Sequence, residues 1–278
     1  MSADRQRAFA TPDPVSLFVE LRSGDLVIET AEVTQTVVDV TGPAADQVLV
    51  DQRGGAIAVV GPKGGHGFFG TSARQVTVHV TMPHDSGLTT KLGSTDVRVD
   101  GRLGETSVKS GSGDVRVEEL AADSVVETGS GDVTVDVVRG PLRVRSGSGD
   151  VTLDRVHAPT QVTTGSGDVV VVSADEQVTV KSGSGDARVR EARRDVSLTT
   201  ASGDLVVDLA HRGQLTARNV SGDIRVGVPA GLPVWTDVTT MSGNVRSDLE
   251  GAGEPAQGQD FLELRAHTVS GDVHLEQR

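Results

Sequence analysis

The chain has 278 residues, with 34 Gly, one Trp, five Phe, no Tyr and no Cys, and 39 acidic against 26 basic side chains give a formal net charge of −13. Without Cys there are no disulfides, thiolate metal sites or thiol nucleophiles, and no run of 18 apolar residues offers a helix for a bilayer. The acidic balance speaks against nucleic acid as a partner, since phosphate binding wants clustered cations. With 36% apolar residues and 2% aromatics, a core must be filled by Val, Leu, Ile and Ala.

In chain order, residues 1–14 read as a flexible tail. They are polar and lack the apolar stretch of a secretory signal, so the expected location is the cytoplasm. Residues 15–92 hold strand-like runs at 15–21, 26–30, 36–41, 47–51, 56–60 and 75–81 without a fixed period. They are expected to form an irregular β cap, or the start of a solenoid. Within them lies Lys63-Gly-Gly-His-Gly-Phe-Phe-Gly-Thr-Ser72, which places two of the five Phe on a Gly-rich backbone. Two readings stand: a loop folded over an open end, or a partner contact through His66, Phe68 and Phe69.

From residue 93 a repeat takes over. Ser-Gly-Asp, or a one-change variant, ends at Asp25, Asp96, Asp114, Asp132, Asp150, Asp168, Asp186, Asp204, Asp223, Asn244 and Asp272. From Asp96 to Asp204 the spacing is 18 residues six times running, then 19, 21 and 28. Counting from the Asp as zero, position +1 reads Val115, Val133, Val151, Val169, Ala187, Leu205, Ile224, Val245, Val273. Position +3 is Val or Leu at every coil from Val117 to Val226, then Ser247, then Leu275. Position −6 is apolar throughout, and apolar and polar residues alternate on both sides of the corner, which is the period of strands. Eighteen residues would also close five helical turns, but the glycines and β-branched residues of each unit exclude a helix.

Each unit is therefore strand, tight corner, strand and looser corner, with too little apolar surface to fold alone. The expected fold is all-β: a single-stranded, parallel β-helix-like β-solenoid with 18-residue coils and an irregular β N-terminal region. Its regular part is 93–278, interrupted by a loop insertion at 247–260. Stacked at about 4.8 Å per coil, ten coils would extend about 45 Å. The last coil, ending in Val273-His-Leu-Glu-Gln-Arg278, shows no cap, and an uncapped edge invites pairing. The inward small polar row at −4 (Ser110, Thr128, Ser146, Thr164) is expected to bond corner backbone.

The corner row Asp114, Asp132, Asp150, Asp168, Asp186, Asp204 and Asp223 sets carboxylates about 5 Å apart, where two exposed charges repel by about 1 kcal/mol. One reading is structural: each Asp accepts corner N–H bonds while Arg at +2 (Arg116, Arg188, Arg225, Arg246) neutralises part of the row. The other is calcium between coils, although the Gly-Gly-x-Gly-x-Asp order of calcium rolls is absent. The seven His form no metal-ligand spacing, and Ser beside Asp makes no nucleophile without an organised base. No catalytic, cofactor or metal residue is assigned. Trp235 is expected to pack near an irregularity of the repeat rather than to serve as a sugar platform.

The run Val162-Thr-Thr-Gly-Ser-Gly-Asp-Val169, the lead-in Met82-Pro-His-Asp-Ser-Gly-Leu88 and the closing Ser-Gly-Asp-Val resemble the bacterial β-strand-repeat family labelled "putative adhesin", over residues 15–278. The resemblance implies a solenoid domain of unknown function, in a family where some members carry a membrane segment and are tied to cell-envelope stress. The expected function is a non-enzymatic scaffold that binds a protein partner. The alternatives are a self-associating or envelope-stress-linked binding protein, and a calcium-binding β-roll.

Overall fold

The computed structural model describes residues 5–62, 75–251 and 253–278. The chain divides into two compact units, Met1–Gly140 and Pro141–Arg278. Each is all-β and built from parallel coils, as the 18-residue period requires.

In the first unit, Thr106–Ser110 pairs with Ser124–Thr128, and Val115–Leu120 with Val133–Val138, both parallel and 18 residues apart in register. Alternate side chains of these strands are buried, until Leu120 and Val138 turn in out of step at the end of the second column. One long strand, Gly87–Leu103, underlies both columns: Leu88 lies opposite Thr106 and Val97 opposite Val115. Ser16–Ala31 stacks on that strand along nearly its whole length, with Asp25 opposite Asp96. A coil that the sequence places in the irregular region is thus in register with the repeat.

The 70 residues between Asp25 and Asp96 hide this, because the chain completes the end of the stack before returning. Beyond Ser16–Ala31 lies a split coil, Ala56–Val60 against its first half and Val76–Pro83 against its second. Antiparallel strands close the end: Gln35–Thr41 on Val76–Pro83, Arg5–Ala10 on Gln35–Thr41, and Leu49–Arg53 on Ala56–Val60. Arg5–Ala10, expected as part of a tail, is a six-residue strand. Its sequence carries no apolar alternation, and pairing with residues some 30 positions away makes it a strand.

In the second unit, one column runs Leu142–Ser146, Thr160–Thr164, Val178–Ser184, Val196–Ser202, Gly213–Arg218. The other runs Val151–Val156, Val169–Ala174, Ala187–Ala192, Leu205–Ala210, Ile224–Val228. The chain order then breaks. The coil Leu262–Ser270/Val273–Gln277 stacks directly on Gly213–Arg218/Ile224–Val228. The coil Val234–Ser242/Val245–Ser247, earlier in sequence, lies outside it. The last coil is therefore not the uncapped edge; residues 234–247 are. The loop after Ser247 lets the chain turn back and slip its final coil into the stack, which accounts for the 28-residue interval.

The core is aliphatic. Besides the rows at −6, +1 and +3, two further rows are buried. At −8 they are Leu142, Thr160, Val178, Val196 and Leu215, and at +6 Val156, Ala174, Ala192 and Ala210. Each fully buried Val or Leu contributes about 1.5–3 kcal/mol. At Gly167 stacking requires glycine at −1: a Cβ there would fall inside contact distance of the Gly149 carbonyl oxygen in the coil beneath.

Candidate functional site

The corner is built from the inside outward. Ser and Thr at −4 point into the core, and all but Ser182 bond the corner backbone: Thr164 Oγ1 accepts the Gly167 N–H at 3.0 Å, and Ser146 Oγ donates to the Gly149 carbonyl at 2.9 Å. On the outside, the Asp carboxylate reaches along the stack. Asp168 Oδ1 accepts the Asp186 N–H at 2.8 Å, Asp186 Oδ1 accepts the Asp204 N–H at 2.7 Å, and Asp204 Oδ1 accepts the Asp223 N–H at 2.8 Å. Asp150 stands in the same relation to Asp168 at 2.9 Å, and in the first unit Asp96 to Asp114 and Asp114 to Asp132 at 3.0 and 2.9 Å. The row continues in spatial order, Asp223 accepting from Asp272 and Asp272 from Asn244.

The expected neutralisation by Arg at +2 takes another form. Arg188 makes a two-pronged pair with Asp208, Arg116 reaches Asp136 at 3.9 Å, and only Arg225 approaches its own corner residue, Asp223, at 3.5 Å. Positions +2 and +4 share an outer face, so Arg meets the +4 acid of the next coil while the corner carboxylate is turned toward an amide. The looser corners of the second unit carry a chain of partners: His157 to Asp175 at 2.7 Å, Arg193 to Asp175 at 2.7 Å and to Glu191 at 2.9 Å, and His211 to Glu191 at 3.0 Å. Among the described residues, no group of three or more His, Asp or Glu is placed to hold a metal ion.

The end coil of the second unit departs from the repeat. Trp235, Met241 and Val245 are exposed on it, and Phe261 beside it. Trp235 is 55% exposed and so is not the packing residue expected; the irregularity of the repeat leaves it on the outer wall of the outermost strand. With Pro233, Val234, Pro255 and Phe261 it lines an open cleft of about 500 Å³, whose charged members are Glu254 and Glu263. The Arg265 guanidinium lies 5.9 Å from the centre of the Trp235 ring and pairs with Glu263.

A family model described as Toastrack DUF4097 matches residues 15–276. The chain belongs to the Toastrack DUF4097 family. Among solved structures, this Toastrack chain is similar to a "putative lipid binding protein" from Parabacteroides distasonis, at 15% identity and a TM-score of 0.50 over 98% of this chain and 96% of that one. It is also similar to a "putative adhesin" from Bacteroides fragilis, at 10% identity and a TM-score of 0.44 over 98% and 97%. A "putative adhesin" from Parabacteroides merdae gives 13%, 0.38, 99% and 95%. The first likeness speaks to the fold alone. No curated protein matches the sequence.

The residues singled out from the sequence fall in different places on the Toastrack fold. Asp114 and Asp132 lie at corners of the first unit, and Asp150, Asp168, Asp186, Asp204 and Asp223 at corners of the second. His66, Phe68 and Phe69 lie outside the described residues. The cleft at Trp235 was not foreseen. Two features could have pointed to it: the single Trp of an aromatic-poor chain, and the change from Val to Ser at +3 in that coil (Ser247).

Proposed function

We propose that this Toastrack chain is a non-enzymatic binding scaffold, whose repeat holds a fixed form while segments outside the repeat engage a protein partner. One observation carries the reading: the most abundant candidate chemistry, the corner Asp row, is committed to stacking. Along it one carboxylate oxygen takes the next coil's N–H. Residues repeated for stacking are not set apart for chemistry, whereas an active site needs a nucleophile, acid or base distinguished from its neighbours. The described segments that do stand apart are apolar and exposed, as contact surfaces are.

The test compares proteins recovered from lysate by the wild type, by Phe68→Ser/Phe69→Ser and by Trp235→Ala/Met241→Ala. A defined partner lost with one of the two variants supports the scaffold. Identical recovery by all three removes it.

A further inference from the structure

We propose that the cleft at the end of the second unit binds a small organic cation with an apolar body, such as an alkylammonium. The inference does not rest on the scaffold reading. It begins with where the rings are. Trp235 and Phe261 are the most exposed aromatic side chains among the described residues, at 55% and 47%, in a chain with only six aromatics. Scattered exposed rings would mean little, but these two line one concave surface together with Pro233, Val234 and Pro255.

The walls are held in place by backbone. The Phe261 carbonyl accepts the Gly213 N–H at 3.1 Å, the Pro233 carbonyl accepts the Leu262 N–H at 3.0 Å, and Trp235 lies opposite Glu263 in the parallel ladder. The backbone that carries both rings is therefore set before any ligand arrives, which lowers the ordering cost of binding.

Charge chooses the ligand. The charged residues of the lining are both acids, Glu254 and Glu263. Glu263 is taken by Arg265, whose guanidinium also lies over the Trp235 ring, so this ring already serves as a seat for a cation. Glu254, exposed on the loop, keeps its charge for an incoming group. An ammonium in the cleft meets the aromatic surface that Arg265 leaves open and the Glu254 carboxylate, its alkyl body meets Pro and Phe, and an anion of the same shape is repelled by that carboxylate.

The chain supplies its own reporter, since Trp235 is the only Trp and there is no Tyr. Its fluorescence would be followed on adding hexyltrimethylammonium, with hexanol and hexanoate at matched ionic strength as the neutral and anionic counterparts. The expected result is a saturable change with the cation, binding about tenfold weaker for the alcohol, and none for hexanoate. Glu254→Gln, an exposed loop change that leaves the fold alone, should weaken the cation by about threefold to tenfold and leave hexanol untouched. Phe261→Ser should weaken both. Equal responses to all three compounds, a response that never saturates, or an unaltered cation affinity in Glu254→Gln would each overturn the proposal.

Discussion

Asp186 is bonded in both directions along its stack. Its N–H donates to Asp168 Oδ1, its carboxylate accepts the Asp204 N–H, and its carbonyl accepts the Val169 N–H at 2.9 Å. The carboxylate thus performs the work of an extra rung of ladder, and it offsets the repulsion of its neighbours by taking partial positive charge from the amide. Two substitutions separate these effects. Asp186→Asn keeps an acceptor oxygen and removes a charge, so urea unfolding at low salt should show stability unchanged or slightly higher. Asp186→Ala leaves the Asp204 N–H without its partner and should cost about 1 kcal/mol. Asp175 behaves differently. The Arg193 hydrogen bond, opposed by burial and reinforced by His157, holds its carboxyl below the usual carboxylate range. A depressed folded value gives stability that is present above the unfolded pKa of about 4 and lost as pH falls through the folded one. Asp175→Asn should therefore flatten the acid limb of the urea midpoint against pH below about pH 4. The row itself was legible from its period. So were corner N–H groups as its partners; that Arg188 would turn to Asp208 of the next coil was not, because periodicity says which residues stack and leaves open which acid of a shared face an Arg will reach.

At the scale of elements, strands and corners were readable because alternation and Gly-rich turns are local properties. The order of coils was not, since a period carries no record of which copy lies on which. Both units depart from chain order: Ser16–Ala31 sits between Gly87–Leu103 and the split coil, and Leu262–Ser270/Val273–Gln277 between two earlier coils. The second departure makes the C-terminus an interior part of its unit. Removing residues 262–278 takes out Leu262, Leu264, Ala266, Val273 and Leu275, all buried. It also strips residues 234–247 of their pairing partner. We expect a loss of about 5 kcal/mol or more, from several aliphatic side chains at about 1.5–3 kcal/mol each. Hydrogen exchange should show 234–247 fully unprotected and the coil at 213–228 weakened. If this truncation proves no more harmful than trimming an exposed end coil, the insertion is wrong.

At the scale of the molecule, what matters is how a stack stops. The first unit closes with antiparallel strands, which lack the parallel register a further coil would need. The second stops by chemistry. Where the inserted coil turns Leu264 and Leu275 inward, the end coil offers Thr236 and Ser247 at the paired positions, between Val234, Val238 and Val245, which keep their apolar rows. Leu249 from the loop lines the hollow beneath, about 250 Å³, with Val234, Thr236 and Ser247. A second copy adding its own coil here would set these hydroxyls against an apolar row, and a hydroxyl buried without a partner there costs about 1–3 kcal/mol. The bare edge is thereby kept from growing, although its backbone groups are free to pair. This weighs against the end-to-end association that the sequence suggested, and it can be reversed. Thr236→Leu/Ser247→Leu restores the apolar rows of the coil beneath. Light scattering across the micromolar range should give a constant mass for the wild type and a mass rising with concentration for the double variant. Association of the wild type through this end, seen as new exchange protection of 234–247 on concentration, would show that the polar coil is no barrier.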